Sequence, residues 1–113
     1  MPFIKNIDHD KVLQLTSQIN VAKGQVVSKT LAQNKAVSIT LFAFSKGEEI
    51  GLHESSGDAF VHVLEGTGEF TIGNTKHICN AGDVLVMPAN VPHAIFTKED
   101  FKWLLTVVFP LDN

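Results

Sequence analysis

The side chains of this 113-residue sequence that could do chemistry are five histidines, one cysteine and a set of aspartates in turns. Imidazole titrates near neutrality and ligates divalent metals, so a histidine can be a ligand, an acid–base group or a polar contact. His53 is followed by Glu54 and Ser55, and His93 stands directly after Pro92. On an extended chain alternate residues share a face, so Glu54 points away from His53. In Ala59–Leu64 the same rule puts Ala59, Val61 and Val63 on one face and Phe60, His62 and Leu64 on the other. His77 sits beside Lys76 in an edge hairpin, where exposure to solvent is the default. His9 belongs to the N-terminal segment and takes no role. Cys79, between Ile78 and Asn80, has no nucleophile motif around it and reads as a small hydrophobe. Asp58 and Asp83 both follow glycine, and turn formation accounts for them. No Ser-His-Asp arrangement, phosphate-cradling glycine loop or Cys-x-x-Cys pair occurs.

The elements that would carry these residues are short strands. Val26, Val27 and Leu31 fall in a first β-prone stretch. In Val37–Phe44, Val37, Ile39 and Leu41 alternate with Ser38 and Thr40, the pattern of a half-buried strand, before Leu41–Phe44 becomes apolar on both sides. Ala59–Leu64, Gly68–Ile72, Lys76–Cys79, Asp83–Met87, His93–Phe96 and Trp103–Phe109 follow at regular spacing. Gly, Asn and Pro clusters at 65–68, 73–74, 80–83 and 88–92 separate them. Asp8 to Ile19 alone has loosely helical spacing, through Val12, Leu13, Leu15 and Ile19, and predicts one short helix or turn with Asp8 or Asp10 as N-cap. Many short strands without a long helix predict an all-β sandwich or barrel in one domain.

Composition narrows the function classes. Nine Lys+Arg against twelve Asp+Glu give a net charge of −3 with no basic cluster, which argues against a nucleic-acid partner. No apolar run approaches the roughly 18 residues of a membrane span. The single cysteine excludes an intrachain disulfide, and the residues after Met1 lack an apolar signal region. The expectation is a cytoplasmic protein with no membrane or nucleic-acid partner.

Two stretches then stand out by their spacing. Gly47-Glu48-Glu49-Ile50-Gly51-Leu52-His53-Glu54-Ser55, closed by Val63-Leu64-Glu65-Gly66, resembles the first motif of the cupin superfamily. Gly82-Asp83-Val84-Leu85-Val86-Met87-Pro88-Ala89-Asn90-Val91-Pro92-His93 resembles the second, with Asn90 at a glycine position and Thr97 at the asparagine position. The motifs, about 47–66 and about 82–97, cover nearly half the chain. The resemblance implies a small single-domain bacterial-type cupin over 1–113, a conserved jelly-roll barrel of the double-stranded β-helix kind.

That resemblance also implies a metal site of three histidines and a glutamate, reaching into the barrel from neighbouring strands. Here His53 and His93 stand at the first and last histidine positions, whereas Ser55 replaces the second histidine and Ala59 the glutamate. The implied pocket is lined by His53, Ser55, Ala59, Val61 and His93. Two imidazoles hold a transition metal poorly, so a divalent ion (Fe, Mn, Ni or Zn) is expected to be weakly bound or absent. His62 would be a third ligand only if a bulge or slip turned it inward. Two functions remain open: a barrel that binds a small molecule at a degenerate metal site, and a metal-dependent cupin enzyme of the dioxygenase, isomerase or decarboxylase class. Because Val37–Phe44, Ala59–Leu64 and Trp103–Phe109 carry apolar residues on both faces, a homodimer burying upwards of about 1,200 Å² is expected.

Overall fold

The computed structural model of the chain describes residues 2–111. Its strands are β1 (Val26–Gln33), β2 (Val37–Phe44), β3 (Glu49–His53), β4 (Asp58–Glu65), β5 (Thr67–Ile72), β6 (Thr75–Asn80), β7 (Val84–Met87), β8 (His93–Phe96) and β9 (Phe101–Val108). They form a five-stranded sheet in the order β1-β2-β9-β4-β7 and a four-stranded sheet in the order β3-β8-β5-β6. Every recorded pairing is antiparallel. The chain is an all-β jelly-roll barrel. Turn chemistry makes the reversals, as at the β5–β6 hairpin, where Gly73 adopts a φ of 57° that a side chain would disfavour.

Residues opposite one another in an antiparallel ladder share a face, so the register sorts inside from outside. Ala59, Val61 and Val63 of β4 lie opposite Val107, Leu105 and Trp103 of β9, and all six pack in the barrel core. Phe44, Phe70, Phe101, Met87 and Ile95 fill the rest of it. Trp103 stacks on Phe42 with centroids 4.7 Å apart and meets Phe44 and Phe70 edge-on at 5.9 and 5.3 Å.

β2 inverts the most natural reading of its alternation. Phe42 and Phe44 lie opposite Trp103 and Phe101, so the inward series of β2 is Ser38, Thr40, Phe42 and Phe44. The apolar series faces out, where Leu41 and Ala43 make a second small core with Ile19, joined by Val21, Val27, Leu64 and Leu104. The N-terminal segment closes this second core from behind the sheet. Its carbonyls at Thr16 and Gln18 accept from Lys102 Nζ and Lys29 Nζ at 2.6 and 3.1 Å.

That segment carries the expected element as a turn and has no α-helix. It contains one 3₁₀ turn, Leu15–Ser17, whose preceding residue Gln14 makes no side-chain cap. Asp10, considered as an N-cap, has a φ of 56°, a left-handed conformation that interrupts any helix running from it.

Candidate functional site

β3 is an edge strand, and regular alternation from Ile50 would put Leu52, not His53, on its inward face. A bulge changes this. Ile50 pairs with Ile95 and His53 pairs with His93, so three steps on β3 match two on β8. The extra residue turns His53 to the face of His93. The two Nε2 atoms are 3.0 Å apart and the rings meet edge-on at 72°.

Each ring is oriented from behind by a backbone carbonyl. His53 Nδ1 donates to the Gly51 carbonyl at 2.8 Å, and His93 Nδ1 donates to the Val91 carbonyl at 3.2 Å. With both Nδ1 protons so used, two neutral rings would point lone pair at lone pair across the gap. A donor from outside the pair, a water or a ligand hydroxyl, would satisfy those lone pairs. His93 is 3% exposed whereas His53 is open to solvent, so such a donor arrives from the His53 side.

Burial holds the His93 pKa below the ordinary 6.5, and neighbouring His53 lowers it further, against smaller upward effects of the Val91 hydrogen bond and Glu54. A depressed histidine pKa means that the folded state resists taking up the proton. The stability His93 contributes is complete above 6.5 and is lost as pH falls through its folded value. Urea unfolding at about pH 7.5 and about pH 5 is expected to show a lower midpoint on the acid side. His93→Gln should flatten that dependence; an unchanged acid loss would assign it to another group.

The loops that present the pair are tied together. Asn90, left-handed at a φ of 64°, donates its backbone N–H to the Ser55 carbonyl at 2.8 Å. Ser55 Oγ is occupied by the Gly57 N–H at 3.1 Å, and Asp58 Oδ1 accepts from the Ala89 N–H at 2.8 Å. Ser55 and Asp58 therefore brace the loop leading into His93.

The other residues of interest lie elsewhere. Ala59 and Val61 face the barrel interior but are 2% and 0% exposed, closed over by the core side chains. His62 lies opposite Leu104 and Val84 on the outer face of β4, because no bulge interrupts β4 between Ala59 and Val63. It does not join His53 and His93, and among the described residues no third His, Cys, Asp or Glu completes a metal-holding group. His77, expected in solvent, is half-buried and shares the inward face with Phe70, its partner in the β5–β6 ladder. Cys79 is buried, and desolvation, followed by Asp83, pushes its thiol above 9.0, which disfavours a thiolate.

The accessible part of the inward surface lies on a different wall. Thr30 of β1 is opposite Thr40 of β2, and Gln33 is opposite Ser38; all four sit on the inward face. Thr30, Ser38, Thr40 and Phe42 remain half-exposed. Beside them a groove of about 640 Å³ opens between Gln33, Asn34 and Lys35 on one side and Ser56, Phe109 and Leu111 on the other. Alternation in β2 marked these hydroxyls in the sequence but not which face they occupied.

Comparison with known proteins follows this geometry. The family model described as Cupin domain matches residues 40–109. A conserved protein of unknown function from Streptococcus pyogenes is 44% identical over 99% of this chain and 98% of its own, with a TM-score of 0.96. A cupin superfamily protein from Desulfitobacterium hafniense is 36% identical over 95% and 98%, with a TM-score of 0.90. A predicted oxalate decarboxylase from Thermotoga maritima is 25% identical over 78% and 84%, with a TM-score of 0.70. No curated protein matches the chain.

Proposed function

The chain belongs to the cupin domain family, and from that premise we propose that it binds a small molecule at the barrel opening through His53 and His93 acting as one pair. The observation that carries this reading is the 3.0 Å approach of two Nε2 atoms whose Nδ1 positions are already committed. Such a pair presents two ring acceptors to an incoming donor. A ligand hydroxyl arriving from the exposed side of His53 donates to the Nε2 atoms. Two acceptors side by side suit a hydroxyl-bearing molecule.

Cupin barrels often hold metal, and the donor set here offers two imidazoles. Two imidazoles on one ion would be about 3.0–3.3 Å apart, which the pair satisfies. Protein sites ordinarily offer three ligands, however, and the histidine and glutamate positions of the family motif hold Ser55 and Ala59. The residues present do not fit an ion held by the protein alone. The alternative reading is a metal-dependent enzyme, favoured by the Nε2 separation alone. Elemental analysis of protein purified without a His-tag or chelator separates the two. The expected result is well below one ion per chain, with any binding lost in both His53→Ala and His93→Ala. A stoichiometric ion that survives EDTA would overturn the proposal.

A second copy of the chain is proposed to cover the outer face of β4, β7 and β9. The N-terminal segment covers only the part nearest Leu41 and Ala43. Beyond it Phe60 is 44% and Val108 58% exposed, and Val84 and Val86 are about half exposed beside them. A contiguous apolar face of this kind is characteristic of a protein–protein contact. Light scattering after gel filtration should give twice the single-chain 12.3 kDa, and Phe60→Asp should return it to the single-chain value. A wild-type mass near 12.3 kDa would refute the dimer.

A further inference from the structure

The inward surface of the barrel has an unusual charge pattern. By register, its positions are Val26, Ser28, Thr30 and Gln33 on β1, Ser38 to Phe44 in alternation on β2, and Phe101 to Val107 in alternation on β9. β4 and β7 contribute Ala59, Val61, Val63, Leu85 and Met87. The smaller sheet adds only apolar residues, glycine, threonine, the cysteine and three histidines. None of these positions is Asp, Glu, Lys or Arg. Lys29 and Lys102, on the two strands that flank β2, face the other way and are engaged with the N-terminal segment. Lys35 stands only at the outer lip of the groove.

Against this uncharged background, the polar groups are concentrated on one wall. Thr30, Ser38 and Thr40 face inward, half-exposed, and their hydroxyls make no hydrogen bond among the described residues. A barrel with nothing to bind would fill these positions with apolar side chains, as β4 does with Ala59, Val61 and Val63. Deeper in the same face, next along β2 from Thr40, Phe42 stacks on Trp103. Trp103 is 1% exposed, and its Nε1–H is buried with no acceptor. An indole N–H so placed is not reached by solvent, and its environment is set by the packing of Phe42 and the neighbouring aromatic rings.

We infer that the β1–β2 wall, Thr30, Ser38 and Thr40, recognises the ligand of the histidine pair, and that this ligand is an uncharged, hydroxyl-rich molecule such as a sugar or polyol. The inference rests on the small-molecule reading of His53 and His93. Hydroxyls both donate and accept, so a threonine–serine wall matches a polyol oxygen by oxygen. A carboxylate or phosphate placed against it would lose its water without gaining a cation, a penalty that neutral hydroxyls avoid. Trp103, stacked on Phe42 next to this wall, senses the ligand through that contact.

The chain has one tryptophan, so the indole N–H is a single nitrogen-15 resonance, and through the Phe42 stack it reports on this wall. The labelled full-length protein would be titrated with uncharged sugars and polyols (glucose, xylose, mannitol) and with gluconate and glucose 6-phosphate. Expected are shifts of the indole signal and of the His53 and His93 ring signals by a neutral member of the panel. Its charged counterpart should bind at least about tenfold more weakly. Thr40→Val and, separately, Ser38→Ala should each weaken the neutral ligand by about tenfold or more while leaving the spectrum folded. Equal or tighter binding of gluconate or glucose 6-phosphate would overturn the inference. Histidine signals that move while the indole stays still, with Thr40→Val and Ser38→Ala silent, would also overturn it and leave the histidine-pair reading standing. A panel that moves neither set of signals would sink both.

Discussion

Trp103→Ala is expected to cost about 3–5 kcal/mol of folding stability, a large share of what a domain of this size possesses. The ring is 1% exposed at the centre of β9 and touches aromatic side chains from β2, β5 and its own strand. Those neighbours belong to two different sheets, so they cannot all move inward to fill the space an alanine would leave. The cavity term adds to the lost burial. Trp103→Phe keeps most of the volume and removes the unpaired Nε1–H, and should lose only a fraction of that amount. Urea unfolding of the two variants measures both. A loss below about 1 kcal/mol for Trp103→Ala would mean that the interior collapses around the gap and that Trp103 is not the keystone of the two sheets.

Gly57→Ala is the second substitution with a large expected effect. A methyl group built on Gly57 would lie 2.8 Å from Cγ1 of Val107 and closer still to the carbonyl oxygen of Val108, so strand backbone and not a flexible side chain would have to give way. The expected loss is about 3 kcal/mol, at the upper end of overpacking costs, or about 10 °C or more in Tm. The same loop holds Ser55, whose carbonyl anchors Asn90 and through it the approach to His93. The variant should therefore also disturb the contact between the two imidazoles, visible as movement of their ring signals. Gly51→Ala, where an added methyl meets nothing within 4 Å, is the matched control and should melt within a few degrees of the parent. Equal melting of the two variants would refute the steric account.

Much of the architecture was legible in the sequence because turn residues punctuate it. Glycine, asparagine and proline clusters mark off the run of strands from β4 to β8, and β2 and β8 begin and end where the sequence pattern says. Alternation names two faces without saying which one is inside, and there it misleads. In β2 the apolar face of Val37, Ile39 and Leu41 reads as the core side, but the N-terminal segment provides a second core behind the sheet that takes Leu41, and Ser38 and Thr40 turn inward. β3 was the strand not anticipated. It is short and mostly exposed, and it contains a glycine. Of the candidate site, motif spacing picked out His53 and His93, and strand parity separated His62 from them. The hydroxyl wall and the sealing of Ala59 and Val61 depend on packing between distant strands, which no local pattern records.

The bulge in β3 has an evolutionary consequence. In most strands of this barrel, losing one residue would send every following side chain to the opposite face, since the period is two. A deletion between Ala59 and Val63, for instance, would exchange an apolar inner row for Phe60 and His62. In β3 the surplus residue sits between Ile50 and His53. If Leu52 were deleted, His53 would follow Ile50 at the ordinary two-residue spacing and still face His93. An in-frame loss of one codon there leaves the imidazole pair facing each other, so β3 is a place where descendants of this sequence can change length without surrendering their chemistry.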